Sequence, residues 1–162
     1  MKFLTLLGLS LCLTFGGVSH AQTGVLSVSQ ARFVSGKGNL AFLAAGVAAP
    51  LLYGKNNRPE VARRLDKVLS VALATEALKL AFKERRPDGS DRKSFPSGHA
   101  SAAFAVAQVS AQARPKDAPY WYIGAALIAD SRVQLKRHYV HDVVAGAILG
   151  LVVPRLNLIR RL

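Results

Sequence analysis

The sequence predicts an all-α protein, a bundle of about five helices that follows an N-terminal signal segment. Long runs rich in alanine and leucine show few β-branched alternations, a pattern typical of helices rather than strands. Clusters of glycine and proline divide these runs into pieces of helical length. The 162 residues are 51% hydrophobic, so a single domain can bury a core of its own.

The first 21 residues have the pattern of a secretory signal peptide. Lys2 supplies a positive charge, residues 3–15 are mostly apolar, and Ser19 and Ala21 are small residues before the expected cleavage site. Cleavage after Ala21 would leave one domain at 22–162; the alternative is a retained first membrane helix. The one cysteine, Cys12, belongs to this segment, so a disulfide framework and thiol chemistry are excluded from the mature domain.

Five helices are expected in the rest of the chain, at roughly 39–53, 59–83, 97–113, 119–131 and 139–153. The first follows the turn at 36–38, and Pro50 is expected to kink or shorten it. The second lies between the turn at 54–59 and a proline-rich stretch at 87–96. Ser97 is a good N-cap for the third helix.

The last two helices are delimited by proline as well. The fourth starts beyond the turn at 114–119, and the fifth ends before Pro154. Gly146 and Gly150 lie four residues apart in the fifth helix, a small-residue spacing that lets two helices approach closely. We therefore expect this helix to pack tightly against a neighbour.

Three apolar stretches favour a bundle that is embedded in a membrane. Residues 40–53, 100–113 and 143–153 carry no charged side chain. None of them reaches the roughly 20 apolar residues that a full span prefers, so a soluble all-α bundle is the alternative. The loops on both predicted sides are basic, and the positive-inside rule does not choose an orientation.

The charge balance points to an anionic partner. The chain has 22 Lys and Arg against 9 Asp and Glu, a net charge of +13, which suits nucleic acid, an acidic membrane surface or a phosphorylated substrate. Nucleic acid is disfavoured because an exported chain does not meet it and because aromatic residues are not interleaved with the basic ones. A phosphorylated substrate and a membrane remain.

Basic residues lie on both sides of a helix start that suits an anion. Lys79 and Arg86 are seven residues apart, so on one continuous helix they would point the same way. Ser97 caps the next helix and Gly98 lets a ligand approach the backbone. The free N–H groups at this helix N-terminus form a ready anion site.

Three histidines remain after the signal segment, at 99, 138 and 141. His138 and Asp142 are four residues apart, which on a helix places a carboxylate beside the imidazole. Arg132 precedes them. Each feature alone is compatible with a solvated face, a capped turn or a surface ion pair; their combination favours a phosphate site. Only Asp130 and Asp142 lie near the histidines, too few acids for a divalent metal.

These residues form three ordered motifs, K-x6-R-P at 79–87, P-S-G-H at 96–99 and S-R-x5-H-x3-D at 131–142. The pattern resembles the signature of the type 2 phosphatidic acid phosphatase and vanadium haloperoxidase superfamily, over roughly residues 68–153. The resemblance implies His138 as nucleophile, Asp142 as its orienting partner and His99 as general acid. It further implies phosphate binding by Lys79, Arg86, Ser97, Gly98 and Arg132, with no metal and no cofactor. His141 lies outside the signature and is expected to be a structural or rim residue.

The resemblance implies a metal-independent phosphatase that hydrolyses phosphate or diphosphate monoesters, above all lipid phosphates, through a phosphohistidine. Such an enzyme would sit in the inner membrane with its active site facing the periplasm. Three alternatives stay open: a soluble exported acid phosphatase of broad specificity, a vanadate-dependent haloperoxidase, and a non-catalytic protein that binds anions or lipid phosphates.

Overall fold

The computed structural model describes residues 25–52 and 58–156, and these confirm the predicted all-α class, with no strand among them. The predicted signal segment at 1–21 lies outside the described residues. The helices are α1 (Val28–Phe33), α2 (Asn39–Ala48), α3 (Arg58–Ala81), α4 (Gly98–Ala113), α5 (Ala118–Gln134) and α6 (Val140–Val152). A π-helical segment, Val34–Gly38, joins α1 to α2.

Helix α4 lies at the centre of the bundle and packs against α2, α3, α5 and α6. Its buried side chains are small, with Ala100, Ala103, Ala105 and Ala107 fully buried. Small side chains on a central helix let its neighbours approach closely. The N-terminus of α4 is thereby surrounded by the ends of the other helices.

Helix α6 packs on α4 through glycine, as the small-residue spacing predicted. A Cβ atom at Gly146 would lie 2.5 Å from the backbone oxygen of Ser97. At Gly150 it would collide with the backbone oxygen of Ser101. The two helices are therefore in backbone contact within one chain, which holds the start of α6 beside the start of α4.

The N-terminal part of the bundle differs from the prediction. The glycines at 36 and 38 predicted a break, whereas the chain stays helical from Val28 to Ala48 with the π-helical segment between α1 and α2. The helix α2 ends at Ala48 and a 3-10 turn, Ala49–Leu52, contains Pro50, so the predicted shortening at this proline is confirmed.

Membrane embedding was predicted from the apolar stretches. Among the residues described, no helix combines the length and the apolar character that crossing a membrane requires.

Candidate active site

The C-terminal turn of α3 places Lys79 against the loop at 82–97. The side chain is 8% exposed, and its Nζ donates a hydrogen bond to the backbone oxygen of Lys93 at 3.1 Å. Burial lowers the pKa of Lys79 from its usual 10.5. Lys79 is thus an interior cation whose direction is set by the loop.

Arg86 does not share a helix with Lys79, contrary to the prediction, because α3 already ends at Ala81. The loop folds back instead: the Arg86 backbone N–H donates to the Asp91 oxygen, and its Nε donates to Asp91 Oδ1 at 2.7 Å. Its Nη1 lies 3.0 Å from His138 Nε2. The two cations still act on each other, so the predicted grouping of Lys79 and Arg86 is present although its predicted cause is wrong.

The start of α4 carries the second motif. Ser97 is fully buried and caps the helix, accepting from the backbone N–H of Ala100. The preceding peptide bond, Phe95–Pro96, is cis. A Cβ atom at Gly98 would make only ordinary contacts, 3.9 Å from Lys79 and Thr75, so packing within the protein does not require glycine there. His99 follows on the first turn of the helix.

The end of α5 supplies Arg132, which is 9% exposed. Its Nη1 donates a hydrogen bond to Ser35 Oγ. Burial, followed by the charges of Arg137 and Arg86, lowers the pKa of Arg132 from 12.5 to about 10. Arg132 therefore stays cationic at neutral pH in a strongly basic environment.

His138 lies in the turn between α5 and α6, and 2% of it is exposed. The shared helical face predicted for His138 and Asp142 is wrong, because α6 begins only at Val140. The ring contacts are His138 Nδ1 to the Ser94 oxygen at 2.8 Å and Nε2 to Arg86. Asp142 Oδ2 lies farther away, 3.5 Å from Nδ1. The Ser94 carbonyl therefore orients the imidazole, with the carboxylate close behind it.

Asp142 joins the second and third motifs. Its Oδ2 accepts from Ser94 Oγ at 2.5 Å and from the backbone N–H of Tyr139 at 2.8 Å. Its backbone oxygen accepts from the Ser97 N–H at 2.9 Å. This fully buried carboxylate holds the loop, the start of α4 and the start of α6 together.

Ser94 was missed by the sequence analysis. It is fully buried and contacts both His138, through its carbonyl, and Asp142, through its hydroxyl. A single serine in a loop has no periodicity or spacing that marks it. The signal that could have found it is its position two residues before the P-S-G-H motif.

The two imidazoles face the same cations. Burial, followed by Arg86, Arg132 and Lys79, lowers the pKa of His138 from 6.5 to about 4. Burial, followed by Arg132, with Lys79 and Arg86 acting the same way, lowers the pKa of His99 to about 4. Three sequence-distant motifs thus meet at one cluster, where neutral imidazoles lie among positive charges. Such a cluster can bind a multiply charged oxyanion and stabilise further negative charge on it.

His141 lies at the rim, with 59% of its side chain exposed. Its Nε2 is 2.8 Å from Glu84 Oε1 and 3.3 Å from Asp142 Oδ1. Among the described residues, these three are the group whose ligand atoms lie close enough together, within 4.8 Å, to hold a metal ion. The nearby Lys79, which interacts with Asp142, opposes a cation at this position.

The family model and the similar proteins all point to one family. The model of the PAP2 superfamily matches residues 40–158. A lipid A 1-phosphatase from Porphyromonas gingivalis is 34% identical over 83 residues, which cover 49% of this chain and 19% of that protein. A probable lipid phosphate phosphatase beta from Arabidopsis thaliana is 34% identical over 113 residues, covering 46% of this chain and 53% of that protein. The chain therefore spans about half or less of the length of these relatives.

The fold is similar to that of a solved structure, the crystal structure of Aquifex aeolicus LpxE. The TM-score is 0.60 at 20% sequence identity, and the match covers 85% of this chain and 97% of the other. At this identity the likeness concerns the arrangement of the helices, which agrees with the family match.

Proposed function

Because the chain belongs to the PAP2 superfamily, we propose that it is a phosphatase that hydrolyses phosphate or diphosphate monoesters of lipids through a phosphohistidine on His138. One observation carries the proposal: His99 and His138 lie beside the same three cations, Lys79, Arg86 and Arg132, which add to burial in lowering the pKa of both imidazoles. A neutral imidazole is a nucleophile or a base, and a cationic surround stabilises the charge that develops on a transferred phosphoryl group.

The contacts of His138 support Nε2 as the attacking atom. Nδ1 lies 2.8 Å from the Ser94 carbonyl, an acceptor only, so this nitrogen carries the proton and Nε2 carries the lone pair. Arg86 Nη1 donates to Nε2 at 3.0 Å. When a phosphate group binds, Arg86 turns its donors to the phosphate oxygens and Nε2 attacks phosphorus.

The reaction then proceeds in two steps, transfer of the phosphoryl group to His138 and hydrolysis of the phosphohistidine. In the first, the Nε2–P bond forms and the P–O bond to the leaving group breaks, while His99 gives its proton to the leaving oxygen. His99 acquires this proton because the bound phosphate counteracts the cations that lower its pKa. In the second, His99 takes a proton from water, the water oxygen attacks phosphorus, and inorganic phosphate leaves His138.

Asp142 and the helix start support these steps. The carboxylate 3.5 Å from His138 Nδ1 stabilises the positive charge on the ring in the phosphohistidine. Ser97 and the backbone N–H of Gly98 lie at the N-terminus of α4, where free N–H groups favour a phosphate oxygen. Lys79, Arg86 and Arg132 neutralise the oxygens, so this mechanism uses neither a metal nor a cofactor.

The surroundings of the site favour a lipid as the phosphate carrier. Beside the motifs, Phe82 packs edge-on against Phe95 with ring centroids 5.5 Å apart, and Tyr139 stacks on His141 at 5.3 Å. Phe82 is 54% exposed and Val140 is 64% exposed. This aromatic rim (Phe82, Phe95, Tyr139, His141) is suited to the boundary between lipid headgroups and acyl chains. On this basis we place the substrate and the enzyme at a membrane surface, and the predicted signal segment favours the periplasmic face of the inner membrane.

The test is phosphate release from a panel of lipid and water-soluble phosphate esters, with membrane and soluble fractions assayed separately. His138→Ala is expected to abolish release, because it removes the nucleophile and leaves only binding. His141→Ala, which removes the same side chain from the rim, is the matched control and is expected to keep most of the turnover of the water-soluble esters. Continued release by a clean His138→Ala preparation would refute the covalent mechanism.

The same panel separates the alternatives. Activity in the membrane fraction with preference for lipid phosphates supports the proposal. Activity in the soluble fraction with no such preference indicates a broad-specificity acid phosphatase. Phosphate binding without any turnover indicates a binding protein.

A further inference from the structure

Ser35 lies outside all three motifs, yet it contacts two of their residues. It belongs to the π-helical segment Val34–Gly38 and is 8% exposed. Its hydroxyl accepts a hydrogen bond from Arg132 Nη1, and its backbone interacts with the His99 ring in a way that raises the pKa of that ring. One residue from the N-terminal part of the chain thus connects the end of α5 to the start of α4.

The contact with Arg132 leaves one side of the guanidinium available. Nη1 is engaged by Ser35, whereas Nε is buried and has no hydrogen-bond partner among the residues described. A buried N–H donor without a partner is unfavourable unless a ligand accepts from it. Because Arg132 shares its surroundings with His99, an oxygen of the bound phosphate group is the acceptor that fits.

The contact with His99 determines where its proton points. A ring nitrogen that donates to the Ser35 backbone keeps its hydrogen, so the second nitrogen is the one that can exchange a proton with substrate. The backbone conformation that brings this acceptor to the ring is π-helical. Single π-helical turns within α-helices are frequent at functional sites.

We propose that Ser35 is a positioning residue of the phosphate site, whose hydroxyl fixes the Arg132 guanidinium and whose backbone orients the His99 ring toward the same phosphate group. The inference deepens the proposed function and rests on it for the identity of the bound group. It makes the segment between α1 and α2 part of the active site, although this segment lies more than forty residues before the first motif.

The role of the Ser35 hydroxyl is tested by measuring orthovanadate binding to the whole protein by calorimetry. This measurement needs no turnover. Ser35→Ala is expected to weaken orthovanadate binding roughly tenfold to a hundredfold, the usual effect of losing a hydrogen bond to a charged group. Ser35→Thr keeps a hydroxyl and is expected to restore part of the loss. Ser29→Ala, which changes an exposed serine on α1, is the matched control and is expected to bind as the unmodified protein does.

A double-mutant cycle distinguishes positioning from general structural support. In an Arg132→Ala background, Ser35→Ala is expected to cause no further loss of orthovanadate affinity, because its partner is already gone. An equal loss in both backgrounds, or unchanged binding in Ser35→Ala, overturns the proposal. If Ser35→Ala does not fold, Ser35→Cys replaces it in the binding measurement, because a thiol has a similar size but accepts hydrogen bonds weakly.

The outcomes also separate this inference from the proposed function. If Ser35→Ala weakens orthovanadate binding and lowers phosphate release in parallel, both the positioning role and the phosphatase activity are supported. Ser35-dependent binding in a protein that releases phosphate from no ester supports the positioning role and contradicts the phosphatase. Phosphate release that is unchanged by Ser35→Ala supports the phosphatase and contradicts the positioning role.

Discussion

At the scale of single residues, His138 has both ring nitrogens engaged by groups from the loop at 82–97. Nδ1–H donates a hydrogen bond to the Ser94 carbonyl, and Nε2 accepts one from the Arg86 guanidinium. The ring orientation is therefore fixed before substrate binds, a form of preorganisation that lowers the cost of reaching the transition state. The carboxylate of Asp142 acts mainly through Ser94 and the backbone of Tyr139.

The two lowered histidine pKa values predict how stability depends on pH. Folded His99 and His138 titrate near pH 4, whereas an unfolded histidine titrates near 6.5. Between these values the unfolded chain binds more protons than the folded one, so stability falls as pH decreases from 6.5 to about 4 and is fully present above 6.5. Asp88, whose pKa is lowered to about 2 chiefly by a hydrogen bond from the Ser90 backbone, contributes stability that is fully present above the ordinary carboxyl value of 3.8 and is lost as pH falls below it.

Thermal unfolding between about pH 7 and about pH 4.5 measures this dependence. The melting temperature is expected to change little down to pH 6.5 and to decrease steadily below it. His138→Asn is expected to show a shallower decrease, since only His99 then remains as a buried neutral imidazole. A melting temperature that is constant or rises as pH falls would contradict the burial of both rings in neutral form.

The aromatic rim predicts a selective effect on lipid substrates. Phe82→Ser removes an exposed aromatic side chain that packs on Phe95 and is expected to lower kcat/KM for a lipid phosphate in mixed micelles roughly tenfold. Hydrolysis of p-nitrophenyl phosphate, which has no acyl chain, is expected to change little. Ile123→Ser, at an exposed position on α5, is the control; equal losses on both substrates by Phe82→Ser would contradict the role of the rim.

At the scale of helices, the contact between α4 and α6 brings the second and third motifs together. Gly146 and Gly150 place the α6 backbone directly on the α4 backbone near Ser97 and Ser101. A side chain larger than hydrogen does not fit at either glycine, because it would meet backbone atoms of α4, which cannot rotate away. The site geometry therefore depends on two residues that have no chemistry of their own.

Gly146→Ala tests this dependence. The new Cβ atom would meet the Ser97 oxygen at 2.5 Å and Ala100 Cβ at 3.1 Å, so we expect destabilisation of roughly 1–3 kcal/mol and a loss of activity larger than the loss of folded protein. Val144→Ala, which changes an exposed side chain on the same helix, is the matched control. Chemical denaturation and phosphate release together measure both effects; wild-type activity in Gly146→Ala would contradict the role of the contact.

Sequence reasoning succeeded where the pattern is local and failed where a tertiary contact decides. The expected helix at 97–113 agrees with α4 at Gly98–Ala113, because capping and proline rules act within a few residues. The π-helical segment was missed, since two glycines predict a break and only contacts with distant residues favour helix there. The helical faces expected to join Lys79 with Arg86 and His138 with Asp142 were wrong, because Arg86 and His138 lie in loops that carry no periodicity.

At the scale of the whole molecule, three segments that are distant in sequence supply one cationic cluster. Lys79 and Arg86 come from the end of α3 and the following loop, His99 from the start of α4, and Arg132 and His138 from the end of α5 and the turn after it. Assembling so many positive charges in one place costs free energy unless an anion is bound. Three of the 22 Lys and Arg residues that give the chain its net charge of +13 thus meet at the proposed phosphate site.

The most direct measurement is a crystal structure of the protein inhibited with orthovanadate, which adopts the five-coordinate geometry of phosphorus during transfer. The account predicts vanadium bonded to His138 Nε2, its equatorial oxygens contacted by Lys79, Arg86 and Arg132, and His99 next to the apical oxygen opposite His138. Vanadate bound away from His138, or bound with His99 and His138 on unrelated sides, would contradict it.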